Sequence, residues 1–196
     1  MPAPNYHKHN NKMSTWSFVG IFVLFICIIF IIYSKTISTS PTRFTVTDVS
    51  AQKTKRNDIE LLSRFQLSLS STAYDAINHG VPIDIVLTYA EPKTLLWWKR
   101  YNVLEKTIYR ISRHALSSNY QLKNLSTFQT YQFVTIDEAL KHIAIFQLKN
   151  LKENSSNNIA VRIHLDIYNL PAQIRASAFF SSRWRHDSYW TIWEVS

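Results

Sequence analysis

His164 and Asp166 stand two residues apart in a stretch that alternates apolar and polar side chains: Ile159, Val161, Ile163, Leu165 and Ile167 against Arg162, His164 and Asp166. On a strand this spacing puts an imidazole and a carboxylate on one face, roughly 7 Å apart. Such a pair suits a metal ion or acid–base work. Only two ligand-type residues are visible, however, and half-buried strands routinely expose such residues, so a plain surface face is the stronger reading. Arg183-Trp184-Arg185-His186-Asp187 is the second candidate. It could hold an anion or orient a base. The rival reading is a loop entering a last strand, with Trp184 capping the core; no third partner is identifiable. His164, Asp166, Arg185 and His186 together make the alternative small-ligand or enzyme site. His114, after Arg110 and Arg113, could respond to pH, although a histidine at a strand end usually just bonds to backbone.

The aromatic residues offer a different chemistry. Trp97, Trp98, Trp184, Trp190 and Trp193 are many for a small domain. Aromatic rings beside Arg and Lys can stack on bases or sugars, but they more often fill cores. Trp97-Trp98-Lys99-Arg100 is the exception. Neighbours on a strand point to opposite faces, so one of the two tryptophans is expected outward, beside two cations. Trp97, Trp98, Lys99, Arg100, Arg110 and Arg113 are therefore the expected interaction surface.

Composition removes many alternatives. Among 196 residues there are two Gly and one Cys. A Gly-rich phosphate loop cannot be written, nor can an intramolecular disulfide or a cysteine zinc cluster. Ser117, Ser118, Ser181 and Ser182 lie in no Gly-x-Ser-x-Gly context, which argues against a serine hydrolase. No cofactor or metal is expected, and no enzyme. Residues 34–196 carry 20 Lys+Arg and 13 Asp+Glu, a net of +7 (20 − 13). The densest basic patch is Lys53-Thr54-Lys55-Arg56. Scattered charge of this kind is more often solubility than a nucleic-acid footprint, so no nucleic acid is expected. Asn124-Leu125-Ser126 and Asn154-Ser155-Ser156 match the glycosylation sequon, which matters only in a eukaryotic secretory chain.

The N-terminal part positions the rest. Trp16 to Tyr33 is an uncharged run of 18 residues, about 27 Å as a helix, close to the ~30 Å hydrocarbon core. It has no polar face, and Trp16 and Tyr33 sit where rings prefer the headgroup layer. The run is too long for a signal-peptide core, and Pro41 follows the small residues Ser38-Thr39-Ser40. The expectation is an uncleaved signal anchor over 16–33, after a cytoplasmic tail 1–15 whose Lys8 and Lys12 favour the inside. Cys27 lies mid-helix and reads as a small apolar residue rather than a dimerising thiol. Residues 34–43 form a polar linker, and 44–196 a β-rich domain.

In that domain, alternation predicts strands over Ile59–Leu69, Val81–Tyr89 and Ile159–Ile167. Ala73, Ala76 and Ile77 suit a short helical turn that Gly80 can close. Leu95 to Ala115 reads as one long or bulged strand. Tyr120–Asn124 and Phe128–Phe133 read as a hairpin across Leu125-Ser126-Thr127. Thr135-Ile136-Asp137-Glu138 is a capping box, opening a helix that runs to about Asn150. Ser188–Val195 is a last aromatic strand. Many short-spaced strands with one true helix predict a mainly β, antiparallel sandwich-like domain behind a single transmembrane helix.

Several of these stretches occur together in a recognisable order: Gly80-Val81-Pro82, Trp97-Trp98, Tyr109 to Ser117, Tyr120-x-Leu122-x-Asn124-Leu125, Thr135 to Leu140, Leu165-Asp166-Ile167-x-x-Leu170-Pro171 and Ser182-x-Trp184-Arg185. The set, from about Thr45 onward, resembles the proteobacterial domain-of-unknown-function family 4390. The resemblance implies a bacterial, membrane-anchored or exported protein with the domain on the periplasmic side; together with the apolar run over 16–33, the expectation is a single-pass inner-membrane protein with its C-terminal domain in the periplasm. It also implies genes lying beside those for a nitrogen-regulation-type sensor kinase and an rRNA cytosine methyltransferase. An envelope protein such as a sensor histidine kinase is then the expected partner. Arg113 stands where the pattern has Tyr, and His186-Asp187-Ser188-Tyr189 replaces small and acidic residues, which weakens a catalytic role for His186 and Asp187. The resemblance carries no catalytic residues.

Overall fold

The computed structural model describes residues 44–53, 58–95, 98–152 and 158–194, together with 26 and 28. The expected anchor, with Trp16, Cys27 and Tyr33, lies outside the described residues except for those two positions. Among the described residues, no helix is long and apolar enough to cross a membrane.

Among the described residues of the domain there are nine strands and three α-helices. They are β1 (Phe44–Lys53), β2 (Asp58–Leu67), α1 (Ser71–Asn78), β3 (Ile83–Leu95), β4 (Trp98–Arg113), β5 (Tyr120–Asn124), β6 (Thr130–Phe133), α2 (Ile136–Ile143), β7 (Ile145–Lys152), β8 (Asn158–Leu165), α3 (Ala172–Phe180) and β9 (Thr191–Glu194). All strand pairs are antiparallel. One sheet has the order β1-β2-β7, the other β6-β5-β4-β3-β8-β9. Their inward side chains, with those of the helices, form a common core. The alternation shows why. Ile83, Ile85, Leu87 and Tyr89 on β3, Ile111 on β4 and Val161 and Ile163 on β8 occupy one face of the larger sheet, while Phe44, Leu61 and Phe65 come from the smaller one. Period two puts every second residue on that face.

Two expectations need correcting. The described residues of the domain hold three α-helices, not one. The helix opened by the capping box ends at Ile143, because Ile145–Lys152 pairs with β2 as β7. The amide of Phe65 bonds the carbonyl of Ala144 at 2.8 Å, so the chain leaves the helix straight into the sheet. The long or bulged strand expected over Leu95–Ala115 is β4, which starts at Trp98 and skips a residue between Val103 and Glu105; Leu95 itself ends β3 and pairs opposite Trp98. The capping box is as expected. Thr135 accepts from the Glu138 amide at 3.2 Å, and the Glu138 carboxylate accepts from the Thr135 amide at 3.3 Å. The helical turn is α1, capped by Ser70 and followed by Gly80 at φ +85°.

The two ends of the domain differ. β1 starts at Phe44, and its ring lies 5.4 Å from that of His186. Leu165 at the end of β8 bonds the carbonyl of His186, and Asp166 that of Asp84. Phe44, Asp84, Leu165, α1 and the 182–184 turn thus gather at the end where the chain enters. From Asp84 to Leu95 is eleven residues of strand, roughly 36 Å, so the β3–β4 tip lies at the opposite end. β8 pairs with β3 only from Ile85 to Ala90, and β5 with β4 only from Tyr109 to Arg113. Beyond them, Glu91–Leu95 and Trp98–Asn102 continue as a two-stranded ribbon.

Candidate functional site

Two places collect the residues singled out above: the outward face of the larger sheet and the ribbon. On the sheet, His164 lies opposite Val86 and forms a bridge with Asp187. Arg162 holds Asp187 through two bonds, at 2.9 and 2.5 Å, and its guanidinium lies 5.9 Å from the Trp190 ring centroid. Trp190 in turn stacks on Tyr101 at 4.3 Å. Asp166 accepts from the Tyr168 amide at 3.0 Å. The Nδ1 of His164 is buried without a hydrogen-bond partner. Burial, and then the neighbouring Arg162 cation, hold this imidazole below its ordinary pKa of 6.5, with Asp187 and Asp166 opposing. A neutral ring between an arginine and two carboxylates could accept a proton or a hydrogen bond. Both carboxylates already serve the fold, and no cluster of three or more metal-type side chains exists among the described residues.

His186 does not join it. Its neighbour Asp187 faces outward beside His164, and alternation sends His186 inward. There it is 1% exposed and its Nε2 accepts from the Ser70 amide at 2.9 Å. A ring nitrogen that accepts an N–H bond carries no proton of its own, so this bond requires the neutral imidazole. Arg185 is exposed. The expected grouping of His164, Asp166, Arg185 and His186 is therefore split, His186 lying inward while His164 bridges Asp187 on the other side.

The interaction residues are split as well. Arg110 clamps the 2%-exposed carboxylate of Asp84 in a fork, at 2.7 and 2.8 Å, and Asn169 adds a third bond at 2.9 Å. That ion pair raises the Arg110 pKa further. Arg113 donates to the carbonyl of Asn78 at 2.8 Å. Both arginines work at the chain-entry end. Trp98, Lys99 and Arg100 sit at the ribbon, ten or more residues away along β4, roughly 33 Å from Arg100 to Arg110. Trp97 lies outside the described residues. On the ribbon Trp98 is 66% exposed. Directly opposed residues share a face, so Arg100 sits with Lys93, and Lys99 with Thr94. Lys93 reaches Glu91 at 3.4 Å. Lys93, Thr94, Arg100, Tyr101 and Asn102 line a cleft of about 700 Å³.

Sequence reasoning missed Tyr168, Phe179 and Phe180, which are exposed around α3. Two adjacent phenylalanines after Ile174-Arg175-Ala176-Ser177-Ala178 were the available signal. The sequon at Asn124 proves structural. Its side chain accepts from the Ser126 and Thr127 amides at 2.9 and 3.1 Å, closing the β5–β6 loop. Asn154 lies outside the described residues.

Two antiparallel sheets around one core define a mainly β domain. The family model for a domain of unknown function, DUF4390, matches residues 42–194, and the chain belongs to that family. No curated protein and no solved structure matches the chain.

Proposed function

We propose that this protein is a single-pass inner-membrane protein whose sandwich-like C-terminal domain, in the periplasm, works as a protein-interaction or sensing-accessory module without chemistry of its own. The observation that carries the reading is the ribbon. It runs past the sheet and presents Trp98 beside Arg100 and Lys99 to solvent. An exposed tryptophan flanked by cations is the composition of an interface anchor. Lys93 lies directly opposite Arg100; Glu91 at 3.4 Å offsets the Lys93 charge, which leaves Arg100 and Lys99 as the cations beside Trp98. The partner is thus an envelope protein with an acidic, aromatic-accepting face, such as the extracytoplasmic part of a sensor histidine kinase. The uncharged run over 16–33 supplies the anchor.

The test is co-purification from cross-linked cells with a C-terminal tag. Replacing Trp97, Trp98 and Arg100 with Ala should abolish capture of one envelope protein while leaving the melting temperature unchanged. Capture that persists in the folded triple variant refutes the reading. A reporter fusion showing a cytoplasmic C-terminus would refute the location. The partnerless Nδ1 of His164 supports a second reading, a small-ligand site on the sheet face. It requires a ligand whose binding is lost in His164→Asn.

A further inference from the structure

We propose that the segment 167–186 is a membrane-contact patch that lays aromatic side chains on an anionic bilayer surface. Its proximity to a bilayer rests on the anchor reading above. At the chain-entry end α3 packs on residues 167–169 and on residues 182–184. Ala178 is buried and Ile174 packs against the core, so these two, one turn apart, mark the inward side of α3. Phe180 is two residues beyond Ala178, about 200° around the helix, and therefore points away from the core. It is 91% exposed, Tyr168 is 71% exposed, and Phe179, ring to ring with Tyr168 at 5.1 Å, is 39% exposed. The outward side is completed by Gln173, Ala176 and Ser177, without a charge.

The cations near this face are arginines, and one carboxylate, Asp166, borders it through the Tyr168 amide. From Ile167 to His186 the sequence contains no Asp or Glu and three arginines, Arg175, Arg183 and Arg185. All three are exposed. Exposed Phe and Tyr with three exposed arginines nearby is the pattern of an interfacial, anion-seeking surface. Chain connectivity adds an independent constraint. The domain's first described strand begins at Phe44, against His186. The ten residues 34–43 that separate it from the apolar run can span at most about 35 Å. The patch is thus at the end of the domain to which this tether attaches, and the ribbon at the opposite end.

The test uses the full chain carrying Cys27→Ser and Ser182→Cys, with an environment-sensitive fluorophore on the new thiol. It is reconstituted in vesicles of phosphatidylcholine alone, or with three parts phosphatidylglycerol to seven of phosphatidylcholine. Lipids bearing a nitroxide near the headgroup quench a probe that lies in the interface. Quenching should be at least about twofold greater with phosphatidylglycerol, as expected for arginines near an anionic surface, and should fall in Phe180→Ser and in R183Q/R185Q. Equal quenching in both vesicles, or none, overturns the proposal. A probe shielded from solvent but unaffected by nitroxide lipid overturns it in favour of a protein contact. An alkaline wash follows the quenching measurement. Loss of the chain to the supernatant refutes the anchor, whereas the quenching already recorded decides the patch.

Discussion

Arg110→Ala should destabilise the domain far more than Asp84→Asn, although the two changes break the same contact. In the folded protein Asp84 is 2% exposed at its side chain, and Arg110 is 40% exposed. Removing Arg110 leaves a buried carboxylate with only the Asn169 amide for company. Removing one partner of a fully buried pair costs about 3–5 kcal/mol. The exposure of Arg110 lets water into part of the vacated space, which lowers the expectation to about 2–3 kcal/mol. Asp84→Asn keeps the shape and an acceptor, and the released guanidinium turns to solvent. Its cost is about 1 kcal/mol, the net worth of an ordinary hydrogen bond. At about 3 °C per kcal/mol for a domain of this size, melting should fall by about 6–9 °C for Arg110→Ala and about 3 °C for Asp84→Asn. Thermal unfolding of the full chain in mild detergent, followed by tryptophan fluorescence, reads both. Equal losses, or a larger loss in Asp84→Asn, would show that burial of the carboxylate is not what makes the pair matter.

Two further outcomes follow from single residues. His164 is held neutral in the fold and its pKa is lowered, so the unfolded chain takes up the proton first. Stability is then full above about pH 6.5 and declines as pH falls toward the folded value, by at most about 1.4 kcal/mol per pH unit. Melting temperatures from pH 8 to 5 should show the decline, with a shallower slope in His164→Asn; identical slopes would exclude His164 as a source. At Gly80 (φ +85°) an added Cβ would meet nothing within 4 Å. The cost of Gly80→Ala is therefore backbone strain alone, about 1–2 kcal/mol. Gly80→Asn should recover part of that loss in the same melting assay, and equal stability of Gly80→Ala and wild type would contradict the strain argument.

The sequence by itself determined the local periodicities. Strict alternation made β3 and β8 visible, because side-chain direction in a strand reverses at every residue. Thr135 and Glu138 marked the start of α2, because capping is a contact between residues three apart. His164 lies on β8, whereas Asp166 follows the strand's end and caps the 167–169 turn. Features that depend on distant pairing were not legible. Ile136, Ala139, Leu140 and Ile143 set a helical period that Ala144 and Leu148 happen to continue. The helix ends only because β2 offers hydrogen bonds to Ile145–Lys152. α3 escaped notice because its inward side is just Ile174 and Ala178.

The same division holds for the candidate surfaces. Spacing grouped Trp98 with Arg110 and Arg113, and His164 with His186. Folding separated both sets: β4 is long enough to put its ends at opposite ends of the domain, and β8 pairs with 186–188 so that neighbouring side chains leave on opposite faces. Arg110 could not be read as internal without the register that sets it against Asp84. The residue types that could act were written in the chain. Which of them act together was decided by strand register, since a single step of pairing moves a side chain from core to solvent.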